Sequence, residues 1–436
     1  MNLAPPIPRL ERPRREPAGG AVDRATANRT PVKSRAGAVR RERHQADYVI
    51  LVVVVALTAI GILMVYSSSA MKGYLSQDAD TFATVGPQIQ WAILGLAAML
   101  VMMRVDYRYL RLASVPFYVV AIVLLVLVFV PGLNVVIGGS ARWLRLGSLP
   151  AVHPAEIAKL ALVIYLAHWF AKRGSRVRGF WGGTVPFLII VAPVIALVFK
   201  EPDLGTTGVI ALTVFTMFFV AGASLVHFAV IASGGVLAMI LVGLRGYQMD
   251  RILVWQNPWL DPLGKGFHTI QGLLALGVGG LLGTGLGESR VSVPNAFNDF
   301  IFAEVGQEFG MIGGIVVILL FLLLAYSGVR IALAAPDTFG ALLAAGITAW
   351  ICLQAFINIG VVVALLPITG ITLPFISAGG SSLIISFAAI GILLSISRET
   401  VEKGTWNDDA IADRGGRHGR AHLPGARRGA LSQRPD

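Results

Sequence analysis

The stretch that decides the fold is "FIFAEVGQEFGMIGGIVVILLFLLLA", Phe300 to Ala325. Its second half is an apolar run without a charge, and the whole exceeds the ~20 residues a helix needs to cross about 30 Å of hydrocarbon. Its first half carries Glu304 and Glu308, and Asp299 stands directly before it. Carboxylates are costly inside a membrane, so such a helix must turn them toward protein or a wet cavity. Outward from this segment, comparable apolar runs predict helices near 48–68, 87–103, 113–131, 156–171, 182–199, 204–222, 223–244, 338–362 and 375–397. With 300–325 that makes an all-α polytopic membrane protein of about ten transmembrane helices. The run from Leu204 to Leu244 is cut near Ala221, where Gly, Ala and Ser cluster.

The composition agrees. Hydrophobic residues make up 55% of the chain, charged residues only 14%, and the mean hydropathy is +0.72, which excludes a single soluble core. One cysteine, Cys352, lies in an apolar run, so neither a disulfide nor a cysteine metal site is expected. The net charge of +12 is concentrated at the chain ends. Residues 1–46 and 399–436 are basic, lack apolar periodicity and read as disordered cytoplasmic tails flanking a transmembrane domain at 47–398. Their charge suits anionic membrane lipids rather than nucleic acid.

An even number of spans puts both termini on one side. The short basic loops "RVDYRYLR" (Arg104 to Arg111) and "AKRGSRVR" (Ala171 to Arg178) place that side in the cytoplasm. The opposite face then carries "GGSARWLRLGSLPAVHPAE", "KEPDLGTT", a large extracellular segment from Arg245 to Asp299 between the seventh and eighth helices, and "LLPITGITLPFISAGGSS". These hold Arg142, Arg145, Lys200, Arg245, Arg251, Lys265 and Arg290, cations that the orientation rule disfavours there. Together they suggest an anionic ligand, since a guanidinium fork suits phosphate.

Glu156 and Lys159 share a face of the fourth helix and can neutralise each other; orienting that helix is as good a reading as a chemical role. Asp203, before "LGTT", fits a helix cap, as does Asp299 before "FIFA". Glu304 and Glu308, four apart, share a face. In "PFISAGGSS", Ser377, Gly379, Gly380 and Ser381 are candidates for close ligand approach, or for a re-entrant turn.

At this point "GGSARWLRLG", "HPAEIAKLALV", "EPDLGTT", "NPWLDPLGKGFHTIQ", "GTGLGESR", "PNAFNDFIFAEVGQEFG" and "LPITGITLPFISAGGSS" resemble, in order, the motifs of the SEDS family (FtsW, RodA, SpoVE). The resemblance covers Asp47 to about Arg398, and "GLGESR" and "NDF" lean toward its FtsW branch. It implies a multi-pass protein of the bacterial cytoplasmic membrane, active in cell division or cell-shape maintenance. The implied activity is an inverting peptidoglycan glycosyltransferase that polymerises lipid II, a lipid-diphosphate-linked sugar donor, into a nascent glycan strand. The implied partner is a class B penicillin-binding protein transpeptidase. The family's extracellular aspartate falls on Asp299, its helix-four acid/base pair on Glu156 and Lys159, and its arginines on Arg142 and Arg251.

On that implication Asp299 acts as general base, and Arg142, Arg251 and Lys265 stabilise the departing diphosphate. A divalent Mg²⁺ or Mn²⁺ could share the phosphate work, although no metal pattern stands in the sequence. Glu304 and Glu308 are expected to organise the helix behind Asp299. The chain departs from the family at Phe297 (commonly His), Gln307 (commonly an acid), Glu304 (commonly apolar), Ala378 (commonly Tyr) and His153 (often Gln). Two rival readings remain: a lipid II flippase or transporter, and a non-catalytic scaffold for the transpeptidase.

Overall fold

A computed structural model describes residues 47–75, 81–137, 140–145, 147, 150–243, 247–294 and 296–399. The tails expected at 1–46 and beyond 399 lie outside the described residues. Twelve helices follow in order: α1 Tyr48–Leu75, α2 Thr81–Arg104, α3 Tyr109–Leu127, α4 Pro154–Arg173, α5 Val185–Lys200, α6 Leu204–Val220, α7 Leu225–Gly243, α8 Tyr247–Gln256, α9 Phe267–Gly279, α10 Ile301–Ala334, α11 Thr338–Val362 and α12 Gly380–Ser397. Eight are long and apolar enough to cross a membrane; the shorter apolar stretches Leu204–Val220 and Leu225–Leu237 fill the other two expected ranges. α6 ends at Ala221, at the expected break.

Two features add detail to the expected helical fold. Between α3 and α4, β1 (Asn134–Ile137) and β2 (Ser140–Leu144) form a small antiparallel hairpin, and Leu144 bridges on to Val152. The β-branched run Val135–Ile137 favours extended backbone. The stretch between α7 and α10 is itself structured. It contains α8 and α9, and α9 packs along the first turns of α10. At 13 residues, α9 is about 20 Å long, too short to cross a membrane, and the chain that follows it turns back against α10.

Helix packing follows small residues and polar bonds, because lipid gives no hydrophobic incentive for helices to associate. α4, α11 and α12 are central, with 72%, 67% and 67% of their apolar windows buried, against 17% for the peripheral α3. At one end of the bundle the described chain closes on itself. The Asp47 N–H donates to Ser397 Oγ at 3.2 Å, Arg330 pairs with Asp47, and Arg108 Nη2 lies 2.5 Å from Glu399 Oε2. Burial beside the Asp337 carboxylate pushes the Tyr107 phenol at this end well above its ordinary range, so it donates to Asp337 as a neutral hydroxyl.

α10 breaks at Gly310, with φ 65° and ψ −163°. The returning chain fills the break: Thr284 N–H donates to Gln307 O at 2.9 Å, Gly285 N–H to Glu308 O at 3.2 Å, and Met311 N–H to Gly280 O at 2.9 Å. The freed backbone groups are thus satisfied by protein, as a membrane requires. A Cβ on Gly310 would meet Gly283 N at 2.4 Å and Leu281 O at 2.5 Å. Gly310→Ala is therefore expected to cost about 1–3 kcal/mol, read as a lower thermal midpoint in detergent. Gly277→Ala, in α9, where a Cβ meets nothing within 4 Å, should leave the midpoint unchanged.

Candidate active site

At the opposite end from the Asp47–Ser397 closure, a cavity of about 660 Å³ opens among α4, α6, α8, α11 and the loops before α10 and α12. Its lining includes Arg142, Glu156, Lys159, Arg251, Asp299, Gly379 and Ser381. Each side chain is set there by local structure. Pro154 starts α4, which places Glu156 in its first turn and Lys159 one turn on. Lys159 Nζ lies 2.8 Å from Glu156 Oε1 and donates to Gln354 Oε1 at 2.6 Å, with its charge 5.0 Å above the Trp350 ring. Gln354 Oε1 also accepts from Trp350 Nε1 at 3.0 Å, while its amide Nε2 donates to Thr372 O at 3.0 Å.

One turn further along α11, Asn358 Nδ2 donates to Asp299 O at 2.7 Å and to Ile371 O at 2.8 Å. Ala378 N–H reaches Phe297 O at 2.8 Å. The loops carrying Asp299 and "SAGGSS" are therefore stitched together by the Asn358 side chain and one main-chain bond. Sequence reasoning did not single out Gln354 and Asn358; polar side chains four apart in an apolar span were the available signal.

Asp299 is half-buried, and this loss of solvent pushes its carboxyl above the ordinary carboxylate range. A bond from its own main chain and the nearby His268 oppose that rise without cancelling it. Such a group is a stronger base than a solvated aspartate. His153 also lines the cavity, 3.6 Å from Asp203 Oδ2, and burial holds its imidazole below the usual value and hence neutral. Asp203 caps α6, accepting from Thr206 N at 3.0 Å and Thr206 Oγ1 at 2.9 Å, in agreement with the capping reading.

Arg142 comes from β2 and donates to two carbonyls, Glu201 O at 3.2 Å through Nε and Pro202 O at 2.6 Å through Nη2. Carbonyl partners orient a guanidinium without neutralising it. Arg251, from α8, donates to Ile368 O at 3.2 Å.

Several expected site residues lie elsewhere. Lys265 is exposed and is not among the residues lining the cavity; its main-chain N–H donates to Asp261 Oδ2 at 2.9 Å, fixing a turn before α9. Ser377 Oγ accepts from Leu373 N at 2.8 Å and closes its own loop. Gly380 packs on Trp91, whose indole would lie 2.6 Å from a Cβ there, so its need for glycine is steric. Ser381 lines the cavity while its hydroxyl accepts from His153 N at 3.3 Å.

Glu304 and Glu308 are buried behind the cavity. Ser289 Oγ contacts Glu304 Oε2 at 3.0 Å and Glu308 Oε1 at 2.9 Å, and Ser67 Oγ lies 2.5 Å from Glu308 Oε1. They bind α1 and the returning chain to α10. Gln307 has a clear reason: with its amide turned to satisfy both atoms, it donates to Val291 O at 3.2 Å and accepts from Val291 N at 3.1 Å. An ionised acid has no hydrogen to donate to that carbonyl.

Among the described residues no three His, Cys, Asp or Glu converge as metal ligands. A divalent ion here would draw most of its oxygen ligands from phosphate and water.

A sequence model of the FtsW/RodA/SpoVE family, described as a cell cycle protein, matches residues 47–402. The chain belongs to this family. The FtsW/RodA/SpoVE relatives include stage V sporulation protein E of Bacillus subtilis, 42% identical over 356 residues, covering 81% of this chain and 97% of the relative. Another is the "probable peptidoglycan glycosyltransferase FtsW" of Geobacter metallireducens, 42% identical over 377 residues, covering 84% and 97%. A solved family structure, from a peptidoglycan synthase complex described as coordinating polymerization and crosslinking, superposes with a TM-score of 0.67 at 28% identity, covering 81% and 98%. The protein is accordingly a multi-pass protein of the bacterial cytoplasmic membrane.

The Glu156–Lys159 geometry generates a prediction. Glu156→Ala strands a buried ammonium, at a cost of about 3–5 kcal/mol, and should lower the thermal midpoint more than Asp299→Asn does. The double variant Glu156→Ala/Lys159→Met should recover much of the loss, and equal melting of all three proteins would refute the pairing argument.

Proposed function

We propose that the protein is a peptidoglycan glycosyltransferase that polymerises lipid II, acting beside a class B penicillin-binding protein that crosslinks the product. The observation that carries this reading is one cavity lined by a half-buried carboxylate, Asp299, together with two arginines, Arg142 and Arg251. The activity named for the FtsW relative and the assembly named for the solved complex supply the substrate and partner class.

The reaction requires an acceptor sugar hydroxyl to attack an anomeric carbon. The new oxygen–carbon bond forms as the bond from that carbon to the diphosphate breaks, inverting the centre without a covalent intermediate. Asp299 takes the hydroxyl proton, and the negative charge that collects on the leaving diphosphate is met by Arg142 and Arg251. Neutral His153 and the amide of Asn298 also line the cavity and offer hydrogen bonds to the sugars. Lys265, exposed and away from the lining, has no part in this scheme. The cavity end of the bundle, in this reading, faces outward from the cytoplasm, where lipid-linked precursor is consumed.

Asp299→Asn is expected to reduce lipid II polymerisation by about 10²- to 10⁴-fold while leaving melting and transpeptidase binding intact. Glycan chains formed by purified protein in detergent, with no second compartment, would exclude a pure flippase; normal cell-wall synthesis by the Asn variant would favour the scaffold. The pH dependence has a definite sign. Asp299 works ionised, and its affinity for the proton is raised, so the rate should fall with acid beginning above the ordinary carboxylate range. A wild-type rate that stays flat down to about pH 4, the value of a solvated carboxylate, would remove Asp299 from the role of base. Arg251→Ala should raise the KM for lipid II, and an unchanged KM and kcat would retire its contact with the diphosphate.

A further inference from the structure

Glu201 follows α5 and has no place in the mechanism above. It is 1% exposed, and neither carboxyl oxygen has a hydrogen-bond partner among the described residues. A buried acid left this way normally destabilises the protein, so its retention needs a reason. Its main-chain carbonyl supplies one: it is one of the two oxygens that hold the Arg142 guanidinium. The charged groups that face the Glu201 carboxyl are Asp203, from the start of α6, and Arg142, from β2. Lys200, its neighbour in sequence, is engaged 5.0 Å above the Phe129 ring, and His153 faces Asp203.

We propose that Glu201 is a positioning residue for Arg142: neutral, it leaves the guanidinium charge directed at a lipid diphosphate in the cavity, and ionised, it withdraws that charge by pairing with the arginine. The proposal rests on the reading of Arg142 as a diphosphate-binding group. Burial, reinforced by Asp203 and opposed by Arg142, pushes the Glu201 carboxyl up to about 8. The acid is therefore mostly neutral at pH 7 and ionises as pH rises through that value. The sign follows: anion affinity is full below about pH 8 and falls above it. By reciprocity, a bound diphosphate raises the proton affinity of Glu201 by the same factor by which ionisation weakens binding.

The test measures binding of undecaprenyl diphosphate to the full-length protein in detergent from about pH 6.5 to about pH 9.5, a range that spans the ionisation of such a carboxyl. Wild type should lose affinity on the order of tenfold across it. Glu201→Gln, which keeps the shape of the neutral acid, should bind as wild type does at the acid end and hold that affinity at the alkaline end. The comparison cancels titration of the ligand and of every other group. Glu201→Asp should keep a pH-dependent affinity, which a purely steric role would not require. A steep fall shared equally by wild type and Glu201→Gln, or a flat wild type, overturns the coupling. Lipid II polymerisation is assayed separately at the acid end. Protein that shows the coupling but makes no glycan overturns the glycosyltransferase reading and leaves the Glu201–Arg142 relation standing; protein that makes glycan without the coupling does the reverse.

Discussion

The cavity depends on how one ammonium is accommodated away from water. Lys159 is 4% exposed and is held by a carboxylate, an amide oxygen and an aromatic face. Those partners come from its own helix and from α11, so satisfying the charge fixes the distance between two of the most central helices. The same Gln354 that receives the proton-rich end of Lys159 passes its other end to Thr372, and Asn358 extends the series to Asp299 and Ile371. A buried ion pair is rarely a net source of stability. Its value here is geometric: it sets the helix from which the loop carrying Asp299 is suspended.

The arrangement also separates two kinds of acid. Asp299, in the loop before α10, lines the cavity, whereas Glu304 and Glu308, in the first turns of α10, meet serine hydroxyls. Proximity in sequence therefore did not translate into shared chemistry. The break at Gly310 isolates the first turns of α10 from its long apolar remainder, so the polar half is held by α9 and the returning chain instead of by lipid.

What the sequence made legible was local or compositional. Apolar runs located the crossing helices, three-residue spacing paired Glu156 with Lys159, and the motifs pointed to Asp299, Arg142 and Arg251, which do share a cavity. Facing directions in irregular segments were not legible. Lys265 sits in a motif yet faces solvent, and Ser377 and Gly380 spend their special chemistry on loop closure and on the Trp91 contact. α9 reads as apolar, but nothing in its residues announces that it packs beside α10 and that the chain then turns back; that follows from the gap in α10 which the chain fills. Gln354 and Asn358 were hidden by the opposite effect, two polar side chains diluted in a helix whose average is greasy.

The bond between Asp47 and Ser397 has a consequence of its own. Because the chain enters and leaves the bundle at one point, whatever precedes Asp47 and whatever follows Glu399 depart from a common root. A factor that grips both segments meets the second at the high local concentration of a tethered ligand, in the millimolar range for a short connection. Two weak grips then act as one firm handle, and severing either segment would loosen the hold out of proportion to the contacts removed.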